Sequence, residues 1–553
     1  MEKEQEATGA TAPHTASHSS FMELLPRSRG QEESLAAPLG PRLSPQKRSS
    51  FSVLQQQNYS AATWLRRQDK LEQMQQKCIV TLAQGCCFAM LVALMFSALD
   101  LWGDGEDRIT EDNCSRDCQI VLVENIPDDL SLLVDGRVHL PLSVAFHILL
   151  DQAKHSVEVM SPVWNLNLWN PDERPGPAEQ GQRLFQKLLS LKSRGVQLKI
   201  VSTLTDSAEL KTLAEHNAEV MCDMTVLTRG ELRSSFWIVT ISHLIGSAVM
   251  DWRALSKRKE LGLALYNCSC LALDLHRVFS FYWQLHQRDY IPSIWAKRVT
   301  ALYSKHDTLE LQLNATQAAA YVSASPEVFC PKARTRDVDA IYQVIQSART
   351  FVFVSVTDYL PLVNRSQGGA SVMRYWSCID DVIREAVVVR GVRVRLLISF
   401  WKNTHPLTFN FVTSLKSLCM QLHNCSVEVR FFSHTDQKDG DQFGLNHKYV
   451  VTDSAVYIGN HNWVGTDFSF SAGVGLVLQM KPNPKDRSLS ILEHIRAAFE
   501  RDWSSTYATS SPRRRGQEVK LKKPHQMKFL QGQSGSSPPA GGALNKPVLS
   551  NKP

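Results

Sequence analysis

The sequence predicts an α/β protein of two similar lobes, each a mostly parallel sheet covered by helices, behind a single transmembrane helix. Three observations predict it. One uncharged apolar run near the N-terminus is long enough to cross a bilayer. Beyond it, short apolar runs alternate with stretches of helical periodicity. One arrangement of apolar residues also occurs twice, in 232–248 (LRSSFWIVTISHLIGSA) and in 445–461 (LNHKYVVTDSAVYIGNH).

The elements follow in order. Residues 1–77 are rich in Ser, Gln, Pro and charge, and are expected to be a disordered cytosolic segment. Residues 78–99, CIVTLAQGCCFAMLVALMFSAL, are apolar on every side. As a helix the run spans about 33 Å, enough for the hydrocarbon core. Its length, and the polar segment before it, exclude a cleaved signal peptide. Arg66, Arg67, Lys70 and Lys77 stand upstream; Asp100, Asp104, Glu106, Asp107, Glu111 and Asp112 stand downstream. Positive-inside then places the N-terminus in the cytosol. The expectation is a single-pass type II membrane protein, held by a signal-anchor, of the secretory or endolysosomal system or the cell surface.

Residues 100–317 form the expected first luminal lobe. Its strands are VEVMSPVW, QLKIVSTL and LGLALYN, and its helices QGQRLFQKLLSLKSRG and ALDLHRVFSFYWQLH. Residues 318–505 form the second, running AAYVSAS, DVDAIYQVIQSA, TFVFVSVT, CIDDVIREAVVVRG, VRVRLLISF and LTFNFVTSLKSLCMQL. The order repeats, which implies a duplication. Strands alternating with helices imply buried, mostly parallel sheets. Residues 506–553 read as a disordered basic tail. They hold nine Lys/Arg against one acid, so the formal net charge of +7 belongs to the tail and not to a folded nucleic-acid-binding face.

The far side of the span carries sequons at Asn113, Asn267, Asn314, Asn364 and Asn424, which implies N-glycosylation there. The nine cysteines outside the span all follow it, and an oxidising lumen permits disulfides. Cys114 and Cys118 are four apart, and Cys268 and Cys270 alternate on an expected strand. Nine is odd, so at least one luminal thiol is left unpaired within the chain. No zinc cluster, P-loop, Gly-x-Ser-x-Gly or dinucleotide fingerprint is present, so no metal and no cofactor is expected.

Superposing the two repeats sets Arg233 on Asn446, Ser235 on Lys448, Phe236 on Tyr449, Thr240 on Asp453, Gly246 on Gly459 and Val249 on Asn462. Lys448, four residues, Asp453, then Gly459 and Asn462 resemble the phospholipase D superfamily, which carries His-x-Lys-x-x-x-x-Asp once per lobe. The resemblance covers residues 114–505. MDWRALSKRKELGLALYNCSCLALDL, VRVRLLISFWKNTHPLTFNFV and the anchor resemble the transmembrane branch of animal phospholipase D-like proteins. SSFWIV and QQKCIV resemble an inactive member of that branch.

The resemblance implies a chemistry and its loss. In the family one histidine attacks phosphorus and the other protonates the leaving oxygen. The lysines neutralise phosphate charge, and the aspartates orient the histidines. Here Arg233, Ser235 and Thr240 replace histidine, lysine and aspartate in the first copy, and Val249 replaces its asparagine. The second copy keeps Lys448, Asp453 and Asn462 but has Asn446 for histidine. His447 is one residue off, on the opposite face of a strand. His243 and His461 read as structural.

Losing both nucleophile and general acid implies a catalytically inactive pseudoenzyme that acts by binding. Two other readings stand beside it. One is a receptor whose Arg233, Lys448 and Asn462 face one cleft and hold a phosphodiester or other anion, with Asp453 neutralising Lys448. The other is a residual hydrolase with a different catalytic set. Active members of the branch act on single-stranded nucleic acid or phospholipid, so a nucleic-acid or phospholipid ligand, bound without turnover, is compatible with the resemblance. It also implies that Cys114 and Cys118 pair with Cys268 and Cys270, and it is compatible with a homodimer. The sequence names no protein partner.

Overall fold

From Phe51 the chain has no Pro and, until Gly85, no Gly, and it is rich in Gln, Leu, Ala, Lys and Arg, all good helix formers. In the computed structural model these residues begin one helix, α1 (Phe51–Leu101). The structure describes residues 51–101, 116–132, 139–167, 178–203, 206–222, 230–285, 299–314, 316–331, 333–367, 370–435, 442–481 and 490–510, with Cys114 and Gly176. Within α1, Arg66–Leu94 is long and apolar enough to cross a membrane, and its most apolar window is unburied. The expectation of disorder over 1–77 is therefore corrected for 51–77, which are helical. Residues 1–50, the tail from 511 and Asn113 lie outside the described residues. Residues 1–94 and 95–553 are two separate units.

The second unit is built on two large sheets, and among the described residues four two-stranded ribbons accompany them. The strands of the first are β1 (Gln119–Asn125), β2 (Leu140–Pro141), β3 (Ser156–Met160), β4 (Gln197–Ser202), β5 (Ala218–Cys222), β6 (Phe236–Val239), β7 (Ser242–Gly246) and β8 (Glu260–Tyr266). Their order is β2-β1-β8-β7-β6-β3-β4-β5. The strands of the second are β9 (Leu309–Leu313), β10 (Thr316–Ser325), β11 (Phe351–Val356), β12 (Arg393–Ser399), β13 (Val427–Phe432), β14 (Lys448–Thr452), β15 (Ala455–Gly459), β16 (Gly473–Met480) and β17 (Ala508–Thr509). Their order is β9-β10-β16-β15-β14-β11-β12-β13-β17. The second sheet starts at Leu309 and ends at Thr509, outside the expected bounds of 318–505, because β9 forms a hairpin with β10 and β17 pairs with β13.

The two-lobed α/β architecture is present, but the sheets are mixed, not mostly parallel. Only β3–β4–β5 and β11–β12–β13 form long parallel runs. The repeated stretch folds in each lobe as a tight hairpin, β6–β7 around Thr240-Ile241 and β14–β15 around Asp453-Ser454. A two-residue connection can only join antiparallel strands.

Helices α2 (Leu142–Gln152), α3 (Glu179–Ser190), α4 (Ala208–Glu215) and α5 (Trp252–Ser256) bury Phe146, Leu184, Leu213 and Leu255 with Trp237 of the first sheet. In the second lobe, α7 (Asp337–Ser347) and α8 (Cys378–Val388) bury Ile341, Val344 and Ile383, and α9 (Pro406–Ser417) and α10 (Gly465–Phe470) follow. Two helices bind the lobes together. The first lobe's α6 (Ser269–Leu285) packs on β10 of the second, and α11 (Ile491–Ser504) of the second packs on β1 of the first. One buried apolar cluster accordingly runs through both lobes, with Phe281 edge-on to Phe329 at 5.5 Å.

Disulfides Cys114–Cys270 and Cys118–Cys268 tie the start of the unit to the first lobe. Cys268 and Cys270 do not alternate on a strand. β8 ends at Tyr266 and α6 begins at Ser269, so the two cysteines flank a helix start. A third bridge, Cys419–Cys425, closes a short loop. Cys330 and Cys378 are free thiols. Asn267, Asn314, Asn364 and Asn424 are all exposed.

Candidate functional site

The two repeats meet edge to edge. Leu232 pairs with Ala472, and Lys259 pairs with Leu445. Leu232 and Leu445 are repeat mates, as are Lys259 and Ala472, so these are one contact made twice around a pseudo-twofold axis. Arg233 N–H donates to Ala472 O at 2.7 Å, and Asn446 N–H donates to Lys259 O at 2.9 Å. Each motif residue is therefore held against the other lobe.

A cleft of about 750 Å³ opens on this axis, lined by Arg233, Asn446, Lys448, Asn462 and Val249 among others. Behind the lining lies Glu260, which sequence comparison had not marked. This carboxylate is wholly buried on β8 of the first lobe and reaches across to the second. Asn446 Nδ2 donates to both of its oxygens, at 2.9 and 3.0 Å, and to Ser247 O at 3.2 Å. Ser247 Oγ donates to Glu260 Oε2 at 2.5 Å. On the other side, Asn446 Oδ1 accepts from Lys448 Nζ at 2.6 Å and from Thr357 Oγ1 at 3.2 Å. The carboxamide thus bridges a carboxylate and an ammonium with all its bonding capacity in use. Burial raises the carboxyl of Glu260 above its ordinary range, against the pull of Lys448. Burial likewise pushes Lys448 down to about 8, while Glu260 works to keep it charged.

The other half of the axis has no such set. Ser235, where the second copy has Lys448, donates its hydroxyl to Ala248 O and is buried. Arg233 turns to Glu231 at 3.1 Å and Asp467 at 3.6 Å. The repeat mate of Glu260 is Gly473. A Cβ there would lie 2.0 Å from His461 Nε2, so the buried His461 ring fills the space an acidic side chain would need.

One expected contact is not made. Asp453 does not neutralise Lys448. It sits in the β14–β15 turn at the far end of the strand, roughly 16 Å along the chain. There its Oδ1 accepts the N–H groups of Arg349, Thr350 and Phe351 at 2.9, 3.0 and 3.4 Å. Thr240 occupies the matching turn with φ +57°. The aspartate position of the motif therefore lies away from the cleft in both copies. Lys448 is instead balanced by Glu260, with Asp358 and Asp467 adding to the negative field.

The nearby histidines are structural. His447 lies on the opposite face of the strand from Lys448. Its Nδ1 is 3.0 Å from Ser355 Oγ, and burial holds its pKa well below the ordinary value. Burial also holds His243 and His461 near 3, so all three are neutral at physiological pH. Among the described residues no His/Cys/Asp/Glu cluster has metal-ligand geometry.

A sequence profile described as "PLD3/4, PLD-like domain" matches residues 135–437. The chain belongs to the phospholipase D family. Curated phospholipase D relatives match across most of its length. "Inactive phospholipase D5" of Mus musculus is 48% identical over 505 residues, 89% of this chain and 91% of that protein. "5'-3' exonuclease PLD4" of Mus musculus is 37% identical, over 74% of this chain and 81% of that one. Among solved structures, a phosphatidylserine synthase of Haemophilus influenzae matches with TM-score 0.43 and 10% identity, over 66% of this chain and 85% of that one. Arg233 and Asn446, the residues expected from the sequence at the two histidine positions of the motif, both line the cleft.

Proposed function

We infer that this is a catalytically inactive, membrane-anchored phospholipase D-like protein whose ectodomain acts by binding. The observation that carries the reading is Asn446. At one of the two histidine positions stands a carboxamide, which forms no phosphoenzyme, and both its ends are bonded, to Glu260 and to Lys448. The naming of the 48% identical relative as inactive supports it. Arg66, Arg67, Lys70 and Lys77 before the apolar run support a cytosolic N-terminus, and the exposed sequon asparagines support a glycosylated luminal or extracellular ectodomain. The test is turnover by full-length protein in detergent, using single-stranded oligonucleotide and phospholipid. No hydrolysis above blank is expected. Hydrolysis abolished by Lys448→Ala overturns the reading. Removal of N-glycans with a mass loss, and protease access to an N-terminal tag in sealed membranes, are the outcomes expected for topology.

A second reading, a receptor for a phosphodiester or other anion, rests on Arg233, Lys448 and Asn462 sharing one cleft. The internal carboxylates weigh against it, because Glu260, Asp358 and Asp467 already supply the charge an anion would bring. Titration with phosphate, a phosphodiester and a short oligonucleotide separates the two. Binding lost in both Arg233→Ala and Lys448→Ala favours the receptor. A homodimer is part of the proposal and is read by mass.

A further inference from the structure

Three tripeptides place a cysteine inside an N-glycosylation acceptor: 113–115, 267–269 and 424–426, each reading Asn-Cys-Ser. In every case that cysteine is disulfide-bonded, Cys114 to Cys270, Cys268 to Cys118 and Cys425 to Cys419. The free thiols Cys330 and Cys378 lie outside any sequon. The sequons at Asn314 and Asn364 have Ala315 and Arg365 in the middle.

The folded geometry matters at the two fully described tripeptides. Asn267 and Asn424 are exposed, so their carboxamides reach solvent. Their backbones are pinned. Asn267 has φ +55°, the Cys268 N–H donates to Ile241 O at 2.9 Å, Cys268 is wholly buried, and Ser269 opens α6. At the other site Ser426 O accepts from Val394 N–H at 2.9 Å, and Cys425 is bonded six residues back. A transferase must bind the tripeptide as a free segment, with the serine hydroxyl beside the asparagine amide. Neither folded tripeptide can be lifted out while its cysteine is bridged.

We propose that oxidation of Cys268 and Cys425 closes the glycan acceptors at Asn267 and Asn424, so that occupancy of these two sites records the thiol–disulfide state of the chain during its synthesis. The proposal rests on the luminal placement of the ectodomain given above. In the glycosyl transfer, Asn Nδ2 bonds to the anomeric carbon of a lipid-linked sugar pyrophosphate. The carbon–oxygen bond to pyrophosphate breaks, and one amide proton leaves to base. In the competing step, two thiols lose two protons and two electrons to a disulfide of an oxidoreductase, which leaves as a dithiol. The two outcomes differ only in order. Once the bridge is made, the acceptor is shut.

The bridges also set a ranking. Cys419 and Cys425 are six residues apart, while Cys118 and Cys268 are 150 apart. Loop-closure entropy makes encounter of the distant pair roughly a hundredfold less frequent. Counted from the emergence of its own cysteine, Asn424 therefore closes faster than Asn267.

The test is site-by-site glycan occupancy of the full chain made in secretory cells, read by peptide mass spectrometry after deglycosylation in heavy-oxygen water. Cys419→Ser and Cys118→Ser leave both tripeptides intact while removing the bridges. A pulse of reductant during synthesis tests the unaltered chain. Occupancy of Asn424 is expected to rise roughly twofold or more in Cys419→Ser and in the pulse, that of Asn267 in Cys118→Ser and in the pulse, and that of Asn364 to stay constant. Glycan on Asn314 or Asn364 with Asn424 and Asn267 unchanged overturns the coupling alone, as does full occupancy of both in the untreated chain. Absence of glycan at every sequon overturns the luminal placement, and the coupling with it.

Discussion

Asn446 donates to both oxygens of Glu260, a residue of the other lobe, at 2.9 and 3.0 Å. Glu260 is wholly buried, so the bond tolerates a donor at 446 and nothing negative. Asn446→Asp would set a second carboxylate against Glu260, while its other oxygen still accepts from Lys448 Nζ. It is expected to lower stability by about 2–4 kcal/mol, because two carboxylates in contact, one of them wholly buried, cannot both ionise. Thermal unfolding checks it, and the loss should shrink as pH falls and one carboxyl protonates. Asn446→His keeps one donor to Glu260 and should unfold near the parent temperature.

Restoring an acidic residue on the other half-axis meets a steric bar. Gly473→Glu drives its Cβ into His461 and is expected to destabilise by about 2–3 kcal/mol. The double variant Gly473→Glu/His461→Ala should recover most of that loss. A melting temperature unchanged in the single variant would contradict the packing described.

Under α11 lies a buried ionic cluster. Glu124 accepts from Arg501 Nη1 and Nη2, both at 2.7 Å, and Lys259 pairs with Asp502 at 2.8 Å. Burial opposes ionisation of Glu124, yet Lys259, Arg501 and His139 together hold its carboxyl well below the ordinary range. A depressed carboxyl contributes stability above its unfolded pKa and loses it as pH falls through the folded one. Glu124→Gln leaves Arg501 and Lys259 undercompensated. It should cost about 3–5 kcal/mol at neutral pH and flatten the acid limb of the stability curve. Denaturant unfolding from pH 7 down to the acid transition measures both.

Thr240 holds a left-handed backbone, φ +57°, that a β-branched residue disfavours. It is exposed and lies in the β6–β7 turn. Thr240→Gly is expected to raise stability by about 0.5–1 kcal/mol, since the native φ suits glycine. An equal or lower melting temperature counts against strain at this turn.

The frame was legible because its apolar residues alternate on two-residue hairpins at one constant offset, which sequence comparison finds without any structure. The hairpin turns were not, because Thr240-Ile241 and Asp453-Ser454 lack the Asn-Gly type of signal, and so the strand directions were misjudged. Glu260 escaped because comparison of the repeats stopped at residue 462. Carried on at the same offset, ELGLAL (260–265) lies on GVGLVL (473–478), and the contrast of Glu260 with Gly473 becomes visible. The Glu124, Lys259, Arg501 and Asp502 cluster draws on three distant segments, and no local spacing announces it. The ribbon of Leu362–Gln367 with Ala370–Tyr375 went unread because it does not alternate cleanly between inside and outside.

Glu260 serves position 446, and Gly473 stands where a partner for position 233 would be, so the pairs that share a task never lie in the same lobe. Such a site couples crossed pairs far apart in the chain, 186 residues for Glu260 and Asn446. At position 473 the room is taken by His461, and Arg233 finds its carboxylates in Glu231 and Asp467 instead. Position 446 has its acceptor in Glu260. The asymmetry follows the axis and not the duplication: one half-site joins the lobes through an amide and a carboxylate, and the other sets a guanidinium across from a glycine.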